Sequence, residues 1–164
     1  MSELTPNQLI LIKMPDTFSK NYKVIFLTSL LAGTLDILAA LLPSSNPGKI
    51  LQFIASAVLG ADLFSGGFGT IILGLLLHFI IAFIWTLLFF MIYPRIKILF
   101  KGPWTAGITY GIFIWLVMNL LILPLSRAPE IPFNIGKAAI AMGILIALVG
   151  IPISLIAYKY DHHK

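Results

Sequence analysis

Four long apolar runs without a single Lys or Arg dominate this chain: Val24 to Leu42, Thr70 to Tyr93, Trp104 to Leu123 and Ala138 to Tyr158. Each falls in the range of roughly 17–25 residues that a helix needs to cross ~30 Å of hydrocarbon. Lipid offers no water to backbone N–H and C=O groups, so a spanning segment must satisfy them itself, and an α-helix does. The runs lack the alternation of barrel strands. With 59% hydrophobic and 10% charged residues and a mean hydropathy of +1.01, the chain has too little polar surface for a water-soluble domain. The expected architecture is all-α and polytopic: a tail over 1–23, then one four-helix transmembrane domain over 24–160.

A fifth run, ILQFIASAVLGADLF (50–64), is too short to span and carries Gln52, Ser56 and Asp62. The turn-forming SSNPGK precedes it and SGGFG follows. Such a segment is a short half-helix, either re-entrant or lying in the interface. The first long run reads as an uncleaved span rather than a signal peptide. The tail before it is broken by Pro6 and Pro15, no A-x-A-like site follows, and Asp36 is out of place in a signal core. The tail's LILI, Leu9 to Ile12, is apolar enough to touch a membrane surface.

Charge sets the orientation. Of the eleven Lys and Arg, eight fall on the side of the two termini and the loop 94–103, and three (Lys49, Arg127, Lys137) on the other. The positive-inside rule then places both termini in the cytoplasm, as expected for a bacterial inner-membrane protein. Tyr22, Tyr93, Trp104 and Tyr158 all sit at that end of the spans, where amphipathic rings favour the headgroup layer. The net charge of +5 therefore serves topology. No dense basic block points to nucleic acid.

Small residues mark the close-packing faces. Ser29, Gly33, Asp36 and Ala40 share one stripe of the first helix, Gly107 and Gly111 form a GxxxG on the third, and Ala139, Gly143, Ala147, Gly150 and Ser154 line the fourth. Such stripes let backbones approach and dispersion hold them, within one chain or in a homo-oligomer or membrane-protein complex. Pro152 is expected to kink or loosen the fourth helix.

Three strongly polar side chains lie inside the spans: Asp36, His78 and Asn119. At 1.5 Å per residue they sit ~9, ~12 and ~6 Å below the same surface. Gln52 and Asp62 enter from that side, and Arg127 stands at its rim. An acid at a helix centre costs ~2.5–3.5 kcal/mol on insertion scales, so it should face the interior and find company. These six residues are the candidate polar pocket, one that takes a small solute or a proton. The alternative is a hydrogen-bonded cluster that fixes helix register.

Other chemistry finds no support. There is no cysteine, which removes disulfides, thiolate metal sites and cysteine nucleophiles. GGFG at Gly66 to Gly69 is no dinucleotide fingerprint, and P-loop, HExxH and GxSxG motifs are missing. One Asp and one His fall short of a metal site, and His162 and His163 on a polar tail read as solvated. No cofactor or metal is expected, and an enzyme is the weakest of the functional readings.

The blocks LAGTLDIL, ILQFIASAVLGADLFSGG, LGLLLHFIIAF and YGIFIWLVMNLLILPLS resemble those of small, uncharacterised bacterial four-helix inner-membrane proteins, loosely the YagU-like group. The likeness runs from about Leu31 to Ser126. It implies the same topology and carries no reaction. Two functions stay open: a transport-like or sensing protein with an outward-facing polar pocket, or a structural or assembly subunit whose polar cluster and glycine stripes serve packing.

Overall fold

A computed structural model describes residues 17–129, 132 and 134–162, and every regular element among them is helical. Residues 1–16 of the tail, with its LILI run, and His163 lie outside the described residues, and the rest of the tail belongs to the first helix. The elements are α1 (Thr17–Leu41), α2 (Pro47–Leu59), a 3₁₀ turn (Ala61–Ser65), α3 (Phe68–Ile96) and a second 3₁₀ turn (Lys97–Leu99). Then come α4 (Pro103–Leu116), a π-helical segment (Val117–Ile122), α5 (Leu123–Leu125), α6 (Ile135–Ile144), a second π-helical segment (Leu145–Gly150) and α7 (Ile151–His162). Four continuous helical stretches are long and apolar enough to cross a membrane: Tyr22–Leu41, Phe68–Leu99, Pro103–Leu125 and Ile135–Asp161. The chain is a multi-pass membrane protein.

Each helix starts where local chemistry allows it. Asn46 and Asn134 accept the N–H of Lys49 and Lys137, covering a backbone donor that the first helical turn would leave unpaired. Pro47 and Pro103 take first-turn positions that have no N–H to lose. The half-helix ends earlier than the apolar run. Gly60, at φ +124, adopts a conformation open only to glycine and turns the chain into the 3₁₀ segment that carries Asp62.

The bundle is tight at the end that carries the termini. Phe89 and Tyr93 of α3, Ala106 and Tyr110 of α4, and Ile153 and Ala157 of α7 form its core. Tyr110 donates its hydroxyl to the carbonyl of Trp85 at 2.5 Å, and Ser154 donates to the carbonyl of Pro103 at 2.8 Å. Lys97 and Asp161 close this end with an ion pair at 2.6 Å. Tyr93 is 4% exposed and stacked on Phe89 within the bundle. Pro94 does not end the helix, which runs on to Ile96, and Tyr22 and Trp104 are exposed.

Glycine sets the approach of the third and fourth spans. A Cβ on Gly107 would meet the backbone of Ile151 at 2.7 Å, and one on Gly111 the backbone of Ile146 at 2.6 Å. From the other side, Gly150 has the backbone of Gly107 and Gly111 against it. The expected small-residue stripe of the fourth helix is otherwise broken. Ser154 and Gly150 are buried, whereas Ala139, Gly143 and Ala147 are exposed, and a Cβ on Gly143 would meet nothing.

The cause is the π-segment. One extra residue per turn rotates everything beyond it by about 100°, so positions aligned by α-helical counting come out on different faces. Both π-segments stop two residues before a proline, Pro124 and Pro152, in the matching quartets LPLS (123–126) and IPIS (151–154). A proline ring collides with the carbonyl four residues back. Those carbonyls belong to Leu120 and Leu148, inside the widened turns. Widening relieves the clash without breaking the helix.

Past its π-segment the fourth span leaves the bundle: α6 has no buried residue, whereas Ile153, Ser154 and Ala157 of α7 are fully buried. The end away from the termini is therefore open between α6 and the other spans. The half-helix α2 lies across this open end. Its Leu51 carbonyl presses on Gly74 of α3, where a Cβ would collide with it, and its Ala57 carbonyl accepts the N–H of Arg127 at 3.3 Å.

Candidate functional site

The open end holds a cavity of about 510 Å³. That volume lies in the range of small-molecule sites. Its walls come from all four spans and from α2. Asp36 of α1, His78 of α3 and Asn119 of the first π-segment share it with Phe53 and Val58 of α2, Trp85 of α3, and Ile140 and Leu145 of the fourth span. The walls are mainly apolar.

His78 is held by the backbone of the first span. Its Nε2 lies 2.8 Å from the carbonyl oxygen of Gly33. Gly33 makes this approach feasible, since even a methyl there would already touch Ala82 at 3.0 Å. A carbonyl only accepts, so Nε2 is the protonated nitrogen and donates. The edge of Phe79 packs against the imidazole, with ring centroids 5.4 Å apart.

Asp36 stands almost one turn beyond Gly33 on the same stripe and is half-buried in the cavity wall. Among the described residues no hydrogen bond or ion pair holds its carboxylate; the ion pair present is the distant one between Lys97 and Asp161. Asn119 donates Nδ2 to the carbonyl of Trp115 at 3.0 Å, one turn back, which leaves Oδ1 as its free acceptor. This bond caps a carbonyl next to the π-segment, where the regular ladder is interrupted. The indole N–H of Trp115, which also lines the cavity, is buried without an acceptor.

The other three candidates lie elsewhere. Gln52 is buried, but its Nε2 donates to the carbonyl of Gly66 and ties α2 to the loop behind it. Asp62 is exposed on the 3₁₀ turn, and Arg127 is exposed on the loop after α5. Neither contributes to the cavity wall. Depth brought these residues to one end of the bundle; helical phase and the Gly60 turn carry them away from the cavity.

Sequence reasoning missed two polar contributors. Lys137, in the first turn of α6 that Asn134 caps, is exposed and stands on the rim of the cavity, and Ser126 lies near it. The cap Asn134 at three residues' remove was the signal for where Lys137 would sit. Ser126 donates to the carbonyl of Leu123 at 2.7 Å, one of the carbonyls that the end of α5 leaves without a helical partner. No group of three or more His, Cys, Asp or Glu capable of holding a metal occurs among the described residues.

Fold and cavity together define a class: a helical, multi-pass membrane protein with a ligand-sized space in one half of its bundle. Comparison with models of protein families, with curated proteins and with solved structures finds no match.

Proposed function

We propose that the chain is a solute-binding membrane protein, transport-like or sensing, whose cavity opens on the side of the membrane opposite the termini. One observation carries this reading: three spans each bring one of their costly polar side chains, Asp36, His78 and Asn119, to a single cavity. Intramembrane ionisable groups generally line solute or ion routes, because the expense of placing them there has to be compensated by use or by a partner. Within the described chain no hydrogen bond or ion pair holds Asp36, and His78 meets it only through space. The charge split between the loops supports termini in the cytoplasm of a bacterial inner membrane, hence a cavity facing outward. The kinship to YagU-like proteins is proposed on the sequence blocks alone and adds no reaction.

The test is access. Ala57 and Ile144 line the cavity, whereas Ile153 is fully buried in the core. Single cysteines at Ala57 and Ile144, in a chain with no native cysteine, are expected to react with a small membrane-impermeant thiol reagent added outside. A cysteine at Ile153 is expected to stay protected. Protection of all three would mean a sealed space and end the pocket reading.

A second reading keeps one specific support. Ala139, Gly143 and Ala147 present a small-residue stripe to the outside of the bundle. That is the surface on which a partner helix packs closely in lipid, as an assembly subunit requires.

A further inference from the structure

Resting on the cavity as a ligand site, we propose that its ligand is an amphipathic organic cation, seated with its charge at Asp36 and Asn119 and its apolar body against Phe53, Ile81 and Met118. The charge pattern of the walls leads there. Among the described residues Asp36 is the one acid lining the cavity, and no hydrogen bond or ion pair holds its carboxylate; its ionisable neighbour His78 meets it only through space. A carboxylate in apolar surroundings needs a counter-charge or a proton.

The polar groups beside it offer acceptors. Nε2 of His78 is engaged with Gly33, which leaves Nδ1 to accept, and Asn119, with one Nδ2 hydrogen on Trp115, keeps Oδ1 to accept. The unpaired N–H of Trp115 is buried beneath the wall, out of reach of the space itself. Acceptors around one acid suit a positive group. Trp85, Trp115 and Phe53 line the same space, and aromatic rings attract a poorly hydrated cation through their quadrupole.

An anionic amphiphile fits less well. Its head would have to stay at the rim with Lys137, and its hydrocarbon would then cover Asp36, the arrangement that costs most. The volume of about 510 Å³ suits a drug-sized organic molecule better than a bare ion.

Tetraphenylphosphonium and tetraphenylborate have one shape and opposite charge, and triphenylphosphine oxide is a neutral relative. Two of the three tryptophans, Trp85 and Trp115, line the cavity, and Trp104 is exposed at the other end. In the purified full chain carrying Trp104→Phe, indole emission therefore reports on the site. The phosphonium is expected to change that emission saturably, with affinity at least tenfold lower in Asp36→Asn, while tetraphenylborate gives no saturable change. Should Asp36→Asn not fold, Asn119→Leu removes the second acceptor; it is expected to weaken the phosphonium several-fold and leave the oxide unaffected. Saturable binding of the borate or the oxide in preference to the phosphonium, or phosphonium binding indifferent to both substitutions, would overturn the ligand class and leave a binding site standing. Saturation by none of the three would count against the cavity as a ligand site and so remove this proposal with it.

Discussion

The imidazole of His78 reaches across to the first span and hydrogen-bonds the backbone of Gly33, 2.8 Å from its carbonyl oxygen, instead of pairing with the carboxylate of Asp36. Two polar groups on neighbouring helices thus share a cavity without being bonded to each other. The distinction matters, because a joined pair would be a self-sufficient register lock, whereas a carboxylate left over is an open valence.

Removing the His78 bond has a measurable cost. His78→Phe is expected to destabilise the bundle by about 0.5–1.5 kcal/mol, the range of an interhelical hydrogen bond in lipid. In a double-mutant cycle, Asp36→Asn and His78→Gln are expected to couple by less than about 1 kcal/mol, since the pair interacts only through space. Unfolding in mixed micelles reads both, and a coupling well above 1 kcal/mol would mean that the side chains do pair.

Two glycines on one helix should respond in opposite ways. Gly150→Leu places a side chain where the backbone of Gly107 and Gly111 already lies. It is expected to cost at least the ~3 kcal/mol at the upper end of overpacking. Gly143→Leu enters open space and is expected to leave the stability of the single chain unchanged. The sequence stripe alone would have both fail. A change in oligomeric state with Gly143→Leu, seen by cross-linking in membranes, would favour the assembly reading.

Proline 152 is expected to hold the π-segment in place. Pro152→Ala removes the ring that excludes the Leu148 carbonyl and lets an ordinary α-helical turn form. Loss of the extra residue turns α6 by about 100° relative to α7. Gly143→Cys, exposed beside a fixed Pro152, should then lose reactivity toward a lipid-soluble thiol reagent in the Pro152→Ala background. Equal reactivity in both backgrounds would show that the π-turn is held by the Gly107–Gly150 contact and not by the proline.

If a cation and a proton compete for Asp36, affinity for the phosphonium rises with pH, by at most about tenfold per unit for one carboxylate. Among the described residues His78 and Lys137 are the other ionisable groups lining the cavity. Protonating either adds like charge, so both act in the same direction as Asp36. Weaker binding at higher pH would contradict the seat at Asp36.

Orientation is decided by labelling. Ser45, Lys101 and Arg127 are exposed in their loops, and single cysteines at Ser45 and Arg127 are expected to react from outside an intact cell, with Lys101→Cys reacting only after the membrane is opened. Reaction of Lys101→Cys from outside would invert the topology and turn the cavity to the cytoplasm.

The four spans and the gathering of Asp36, His78 and Asn119 toward one end of the bundle were legible along the chain, for one physical reason. Lipid forbids unsatisfied backbone, so apolar length translates directly into helix and residue number into depth. Azimuth obeys no such rule. It accumulates about 100° per residue, so the single extra residue of a π-turn before Pro152 splits a stripe that reads as continuous from Ala139 to Ser154. The Gly60 turn likewise carries Asp62 to an exposed loop, and packing against the Gly66 carbonyl takes Gln52 out of the cavity. Lys137, which by count is merely a loop charge, stands at the rim because α6 splays from the bundle. Sequence determined which groups lie at which end of the bundle; only helix phase and packing, which are properties of the assembled bundle, decided that Asp36 faces a cavity with His78 held beside it and no hydrogen bond on its carboxylate.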